Sequence, residues 1–296
     1  MPELPEVEVV KRSLINKAQN SIIKSVKIND GRLRYKLDQN QIKKIIGLKI
    51  KKILRRSKFL LFFFDRDIIM LVHLGMTGKF FFINQKNTKY KTSFYYDINE
   101  DKDKKHDRVI FNLSQSQKLI YNDVRKFGFI KLLNKINLNN NLHLKNLGPE
   151  PLNKKFNFTY FKKYIHGRSR SIKDILMDQK FVSGLGNIYV NEILFFSGIK
   201  PTKKINNLLD SEIKKIVKFT KIILLRAIAL GGSTIKDFSS ENGKKGSFQQ
   251  HFKVYGKKGE KCSKKNCHNN IVKITIANRS SFYCTKTLPV NFLFPL

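Results

Sequence analysis

MPELPEVEVV, Met1 to Val10, opens the chain with two prolines and three glutamates around its apolar residues. Pro5 sets the backbone at a first helical position, and Glu6 and Glu8 favour the positive end of a helix dipole. Val7, Val9, Val10, Leu14 and Ile15 then mark one apolar face at roughly helical spacing. These residues predict a helix starting at residue 4 or 5. Pro2 and Glu3 precede that helix and gain nothing from it.

Strand-like sequence follows. SIIKSVKIN, a turn at Asn29-Asp30-Gly31 and RLRYKL come first. Apolar runs then stand at Leu48–Leu54, Phe59–Phe64, Ile68–Leu74, Phe80–Ile83, Val109–Leu113 and Phe129–Leu133. Many short strands with turn signals predict a β-sandwich or barrel over residues 1–135. Asp97–Asp107 is a charged loop within it. FLLFFFDRDIIMLVHLGM is broken by Asp65, Arg66 and Asp67, so it reads as a buried hairpin and not a membrane span.

NLGPEPL closes a linker over 136–152, and helical periodicity dominates from Tyr160 to about Leu230. A glycine-punctuated loop at 231–246 completes a helical module over 153–248, and a cysteine-bearing β module fills 249–296. The fold class is α+β.

Lys and Arg number 59 against 22 Asp and Glu, a formal charge of +37, which favours a polyanionic partner, nucleic acid before membrane. Lys, Ile, Asn and Phe are all abundant, a mixture that an AT-rich genome gives any protein, so charge alone does not single out nucleic acid. The start has no basic segment followed by an apolar one, and three cysteines in the last 35 residues make no disulfide framework. A soluble cytoplasmic protein is expected.

Pro2 carries a specific chemistry once Met1 is removed. A terminal α-amino group titrates at about 7.7–8.0, so part of it is neutral and nucleophilic near neutrality. Attack by this secondary amine on a sugar aldehyde carbon gives an iminium, an electron sink that permits loss of neighbouring phosphates. Glu3, one residue away, can shuttle protons. Taken alone, Pro2 is more simply read as a terminus that resists aminopeptidases.

The order of short motifs decides between these readings. PELPEVE resembles the N-terminus of the formamidopyrimidine-DNA glycosylase family, bifunctional repair enzymes acting on oxidised purines. The resemblance continues through RRSKFLLF, HLGMTG, DVRKFGF, LGPEPL, GLGNIYVNEILFFSGI, GGSTIKDF and VYGKKGE, in the family's order along nearly the whole chain. It implies an N-terminal helix and β-sandwich, a helix–two-turn–helix domain and a C-terminal zinc hairpin. It also implies Pro2 as nucleophile, Glu3 as proton donor and Glu6 as a residue that orders the site. Lys58, at the start of an apolar strand, must turn to solvent or to a polyanion; the resemblance makes it the lysine that assists elimination.

Met76, Arg125 and Phe127 read as core and turn residues by type, and by resemblance as the wedge that fills the space of an extruded nucleotide. Val124 stands where the family usually has proline. His106, Arg168 and Asn187 are implied DNA contacts, with Asn187 at a glycine-marked helix start that suits a phosphate. Lys236 belongs to the loop that closes over the flipped base. Glu192 reads as a surface carboxylate, or by resemblance as a neighbour of that base.

The cysteines depart from the pattern. The family has two CxxC pairs with sixteen residues between them, a tetrahedral Zn²⁺ set. Here Cys267 and Cys284 keep that spacing, but four residues separate Cys262 from Cys267 and Thr287 replaces the last cysteine. His268 is the nearby substitute. The choice is between structural zinc on an incomplete set and a zinc-free hairpin held by Phe282 and the tail LPVNFLFPL. Arg279 survives and is implied in phosphate binding and the second elimination.

The expected partner is duplex DNA carrying oxidised purines or abasic sites, bound by a monomer in a basic cleft between the β-rich and helical modules. The alternatives are an endonuclease VIII-like glycosylase for oxidised pyrimidines and a decayed homologue that only binds DNA.

Overall fold

The computed structural model describes residues 1–92, 104–233 and 248–286. The chain divides into two compact units, one of residues 1–145 with 228–249, the other of 146–227 with 250–296.

In the first unit, helix α1 (Leu4–Ala18) starts one residue before Pro5, and Glu3 at its N-cap forms a capping box with Glu6, so unlike the sequence reading Glu3 does serve the helix. Val7, Val10, Leu14 and Ala18 are buried in the core beside residues from two antiparallel sheets. The four-stranded sheet runs β2 (Ile50–Arg56), β3 (Phe59–Phe64), β4 (Ile68–His73) and β9 (Phe129–Asn134) in that order. The five-stranded sheet runs β1-β7-β8-β5-β6, with β1 at Ile23–Ile28, β5 at Lys79–Ile83, β6 at Lys89–Lys91, β7 at Asp107–Leu113 and β8 at Lys118–Asn122.

The run FLLFFF has no polar alternation because both of its faces are covered. Leu60, Phe62 and Phe64 join the main core, while Leu61 packs with Ile69, Leu71 and Phe129 beneath Leu138 and Leu144. As the sequence implies, β3 and β4 form a hairpin, and Arg66 and Asp67 take positive φ in its turn. RLRYKL is a difference. It forms only an isolated bridge between Arg32 and Lys36, and Asp38 then caps a helical turn, α2 (Gln39–Ile42).

The second unit holds α3 (Phe158–Ile165), α4 (Ile172–Met177), α5 (Asn187–Ser197) and most of α6 (Asp210–Ala229). Asn157 and Ser171 cap α3 and α4 through their side chains. Nearly every residue of α5 is buried, so its apolar sequence NIYVNEILFFS marks a central helix without an amphipathic stripe. A hairpin of β10 (Ile271–Ile276) and β11 (Arg279–Cys284) follows, turning at Ala277 and Asn278, both at positive φ. Among the described residues no helix is long and apolar enough to cross a membrane.

Candidate active site and nucleic-acid contacts

Glu6 organises the N-terminus. Its Oε2 accepts the Glu3 backbone N–H at 2.8 Å, satisfying a donor that the start of α1 leaves open. Its Oε1 accepts both the backbone N–H and the hydroxyl of Ser233, at 2.8 and 2.9 Å. Gly232 lies between at φ +82°, where a Cβ would come within 3.1 Å of that oxygen. Pro2, Glu3 and Glu6 are all buried. One carboxylate thus ties the terminal dipeptide to the first residues of the 231–246 segment.

A second carboxylate sets the turn that carries Lys58. Glu8 accepts from Arg55 Nε at 2.9 Å, and Arg55 also donates to the Ser57 carbonyl at 2.8 Å. Burial pushes the Glu8 carboxyl up, but hydrogen bonds from Lys11 and Arg55 outweigh it and hold the group below its ordinary range. Ser57 takes φ +55° in the β2–β3 turn, and Lys58 is 7 % exposed. Lys58 therefore does not turn to solvent, and the turn before it is tied to α1 by the Glu8–Arg55 pair.

His73, at the end of β4, is a residue that sequence reasoning missed. Burial first, then the charges of Lys58, Arg34 and His143, push its pKa down to about 4. Its Nδ1 accepts from the Gly75 N–H at 3.1 Å, so Nε2 carries the proton and the ring is a neutral donor. The signal lies in HLGMTG, three residues before the methionine.

Met76 is half-buried, whereas Arg125 and Phe127 are exposed, with the Arg125 guanidinium 4.7 Å from the Phe127 ring centre. His106 is half-buried. Arg108 NH2 lies 3.1 Å from its Nδ1; a guanidinium only donates, so Nε2 is the protonated nitrogen.

In the second unit, Asn187 begins α5 behind Gly186 and donates from Nδ2 to the Ser280 carbonyl at 3.0 Å. One of its amide hydrogens is thereby committed to β11. Lys173 converges on the same carbonyl at 2.8 Å and on Ser281 Oγ at 2.6 Å. Burial, with the Arg279 charge adding to it, pushes the Lys173 pKa down to about 8. Asn191 accepts the Phe282 N–H at 2.6 Å. Three side chains thus grip the strand directly behind Arg279, which is exposed at the hairpin turn. Arg168 is exposed with its guanidinium 3.9 Å from the Tyr164 ring centre.

Glu192 is not a surface residue. It is 1 % exposed and accepts backbone N–H groups from Lys253, Val254 and Tyr255 at 2.9 to 3.0 Å.

Cys262, Cys267 and Cys284 are buried with their sulfurs all within 4.8 Å of one another. Tetrahedral zinc with Zn–S bonds of about 2.3 Å separates its sulfurs by about 3.8 Å. Three corners of such a site therefore fit, although C-x₄-C replaces C-x₂-C. His268 is exposed. Lys236 and Thr287 lie outside the described residues, as do 234–246 of the proposed capping loop and the apolar tail.

Comparison with known proteins gives these features their context. Residues 1–130 match the formamidopyrimidine-DNA glycosylase N-terminal domain, and residues 147–239 match that family's H2TH domain. The formamidopyrimidine-DNA glycosylase of Rickettsia conorii is 39 % identical over 284 residues, covering 96 % of this chain and 98 % of the relative. That of Rickettsia bellii strain OSU 85-389 has the same identity and coverage. Among solved structures, a mutant Lactococcus lactis FPG in complex with DNA containing Fapy-dG superposes with a TM-score of 0.80. It is 35 % identical, over 96 % of this chain and 98 % of that one. The Lactococcus lactis Fpg complex with abasic-site DNA also gives a TM-score of 0.80 at 35 % identity, over 95 % of this chain and 97 % of that one.

The fold is that of a DNA glycosylase of base excision repair. The chain belongs to the formamidopyrimidine-DNA glycosylase family, whose members also cleave abasic sites.

Proposed function

We propose that this chain excises oxidised purines, 8-oxoguanine and formamidopyrimidines, from duplex DNA and cleaves the resulting abasic strand, with Pro2 as nucleophile. The observation that carries this reading is the buried Pro2–Glu3 terminus, held from behind by the Glu6 carboxylate. After loss of Met1, the Pro2 amine attacks C1′. The glycosidic bond breaks, the base leaves protonated, and Glu3 protonates the ring oxygen as the sugar opens.

The C1′ iminium acidifies the C2′ proton. Its removal expels the 3′ phosphate; loss of the C4′ proton then expels the 5′ phosphate, and water releases Pro2. Lys58 assists the first elimination and holds a phosphate, with the neutral His73 N–H beside it as a second donor. Arg279 binds phosphate and assists the second elimination. His106, Arg168 and Asn187 hold the DNA backbone, and Lys236 serves the flipped base. Met76, Arg125 and Phe127 occupy the emptied stack. The chemistry needs no metal, and the enzyme acts in the cytoplasm at the nucleoid.

Duplexes carrying 8-oxoguanine and an oxidised pyrimidine test the assignment by relative kcat/KM, with borohydride capture of the adduct in each case. Faster excision of the purine lesion with a trapped adduct is expected. Preference for the pyrimidine would favour the endonuclease VIII-like reading, and absence of any adduct would reduce the protein to a DNA binder.

Zinc is structural in this reading, held by Cys262, Cys267 and Cys284. Bound there, it supplies folding free energy to the hairpin that presents Arg279. Metal analysis of purified protein is expected to give one zinc per chain. A Cys284→Ser variant is expected to lose that zinc and to weaken abasic-site binding without abolishing borohydride capture at saturating DNA.

A further inference from the structure

The turn residues 74–78 and 124–128 carry the wedge side chains, yet the wedge reading does not explain what makes two separate turns act together. We propose that Asp123 is a positioning residue that locks these turns into one rigid wedge, and so governs extrusion of the damaged nucleotide from the duplex. The proposal rests on the reading of Met76, Arg125 and Phe127 as wedge residues.

Asp123 is fully buried at the end of β8, in contact with both turns. Its Oδ1 accepts the Thr77 hydroxyl at 2.5 Å, and the same hydroxyl oxygen accepts the Arg125 N–H at 3.0 Å. Its Oδ2 accepts the Gly128 N–H at 2.8 Å, with the Tyr121 hydroxyl 3.4 Å away. Burial, then the Asp123 charge, push the Tyr121 phenol well above its ordinary pKa, so it stays a donor. Arg108 Nε donates to the Asp123 carbonyl at 2.8 Å, and its NH1 reaches Asp30 at 3.2 Å.

The backbones of the two turns also touch. Gly75, at φ +61°, would place a Cβ 2.4 Å from the backbone of Phe127 and Gly128. One carboxylate therefore fixes the residue after Met76 and the amide after Phe127, and through the Thr77 hydroxyl it also fixes the amide of Arg125.

Rigidity matters here for a physical reason. Separating stacked bases costs a few kcal/mol per step, and a wedge on independent, yielding turns would move before the stack did. The chemistry at Pro2 does not depend on this, because an abasic site in single-stranded DNA has no stack to leave.

The test compares kcat/KM on a duplex lesion with borohydride capture on single-stranded abasic DNA. Asp123→Asn turns an NH₂ group towards the Gly128 N–H or the Thr77 hydroxyl, while Thr77→Val removes the hydroxyl at nearly constant shape. Each is expected to lose on the order of 10- to 100-fold on the duplex, as small misplacements do, with single-stranded capture unchanged. Thr77→Ser is expected to retain duplex activity.

In a Met76→Ala/Phe127→Ala background, Asp123→Asn is expected to add no further loss. Equal loss on both substrates, no loss on either, or a full multiplicative loss in the wedge-less background would overturn the proposal. Full duplex activity of Met76→Ala/Phe127→Ala by itself would instead overturn the wedge reading, and the proposal with it.

Discussion

A chain whose Pro2 nitrogen is blocked, by retained Met1 or by acetylation, is expected to form no borohydride-trapped adduct with abasic-site DNA. Its excision rate should fall on the order of 10⁴-fold or more, the scale seen when a nucleophile is removed. The reason is electronic. An amide nitrogen shares its lone pair with the carbonyl and cannot attack C1′, whereas the free secondary amine can. Pro2→Gly is not an equivalent control, because it still presents an amine.

Binding should survive the block. Glu6 holds the Glu3 N–H and Ser233 whether or not a residue precedes Pro2, so the start of α1 keeps its place. Mass spectrometry of the purified protein reports the state of Met1. A gel assay of the same sample with and without borohydride reports the adduct. An adduct from fully blocked protein would remove Pro2 from the mechanism, with Lys58 the first alternative amine to examine.

The sequence pointed to Pro2, Glu3 and Glu6 as candidate residues, but not to the distant partners that anchor them. PELPEVE marks Pro2 and Glu3 within a few residues, but the Ser233 that anchors Glu6 lies 227 positions away. Arg55, which fixes the Lys58 turn, is 47 positions from Glu8. The grip of Lys173 on β11 spans 107 and 108 positions, and nothing local to Lys173 announces it. Contacts of this kind arise from packing, which a periodic pattern does not encode.

The same contrast runs through the fold. Phe59–Phe64 and Ile68–His73 were legible because strands covered on both faces read as unbroken apolar runs. Lys89–Lys91 and Lys118–Asn122 were not legible, being short and lysine-bearing, and their place in the sheet comes from pairing with β5 and, for the second, β7. RLRYKL alternates like a strand, but the Asp38 cap and the α2 turn take the chain out of the sheet.

Glu192→Ala is expected to destabilise the second unit strongly. The carboxylate accepts three consecutive amides, those of Val254 and Tyr255 on Oε1 and that of Lys253 on Oε2. Hydrogen bonds to a charged group contribute about 1.5–3 kcal/mol each, and partial re-pairing brings the expected total to about 3–5 kcal/mol. The loss would reach the hairpin, because the Tyr255 ring packs edge-on against Phe282 of β11 at 5.3 Å.

The pH dependence separates a buried charge from simple packing. Burial pushes the Glu192 carboxyl up, and its three amides only partly reverse this, so the folded-state pKa lies above the ordinary value. The stability gained from protonating this buried carboxyl is therefore fully present below the ordinary carboxylate pKa and declines as pH rises through the raised one. Gln keeps the shape without the charge but sets an NH₂ group against one of the three amides. Glu192→Gln is thus expected to cost about 1–3 kcal/mol at pH 7, less than Ala. Its deficit relative to wild type should widen as pH falls through the raised pKa towards the ordinary value. Urea unfolding of wild type, Gln and Ala at pH 7 and in that acid range measures both effects. An Ala variant with unchanged midpoints would mean that the 253–255 loop is held by something other than Glu192.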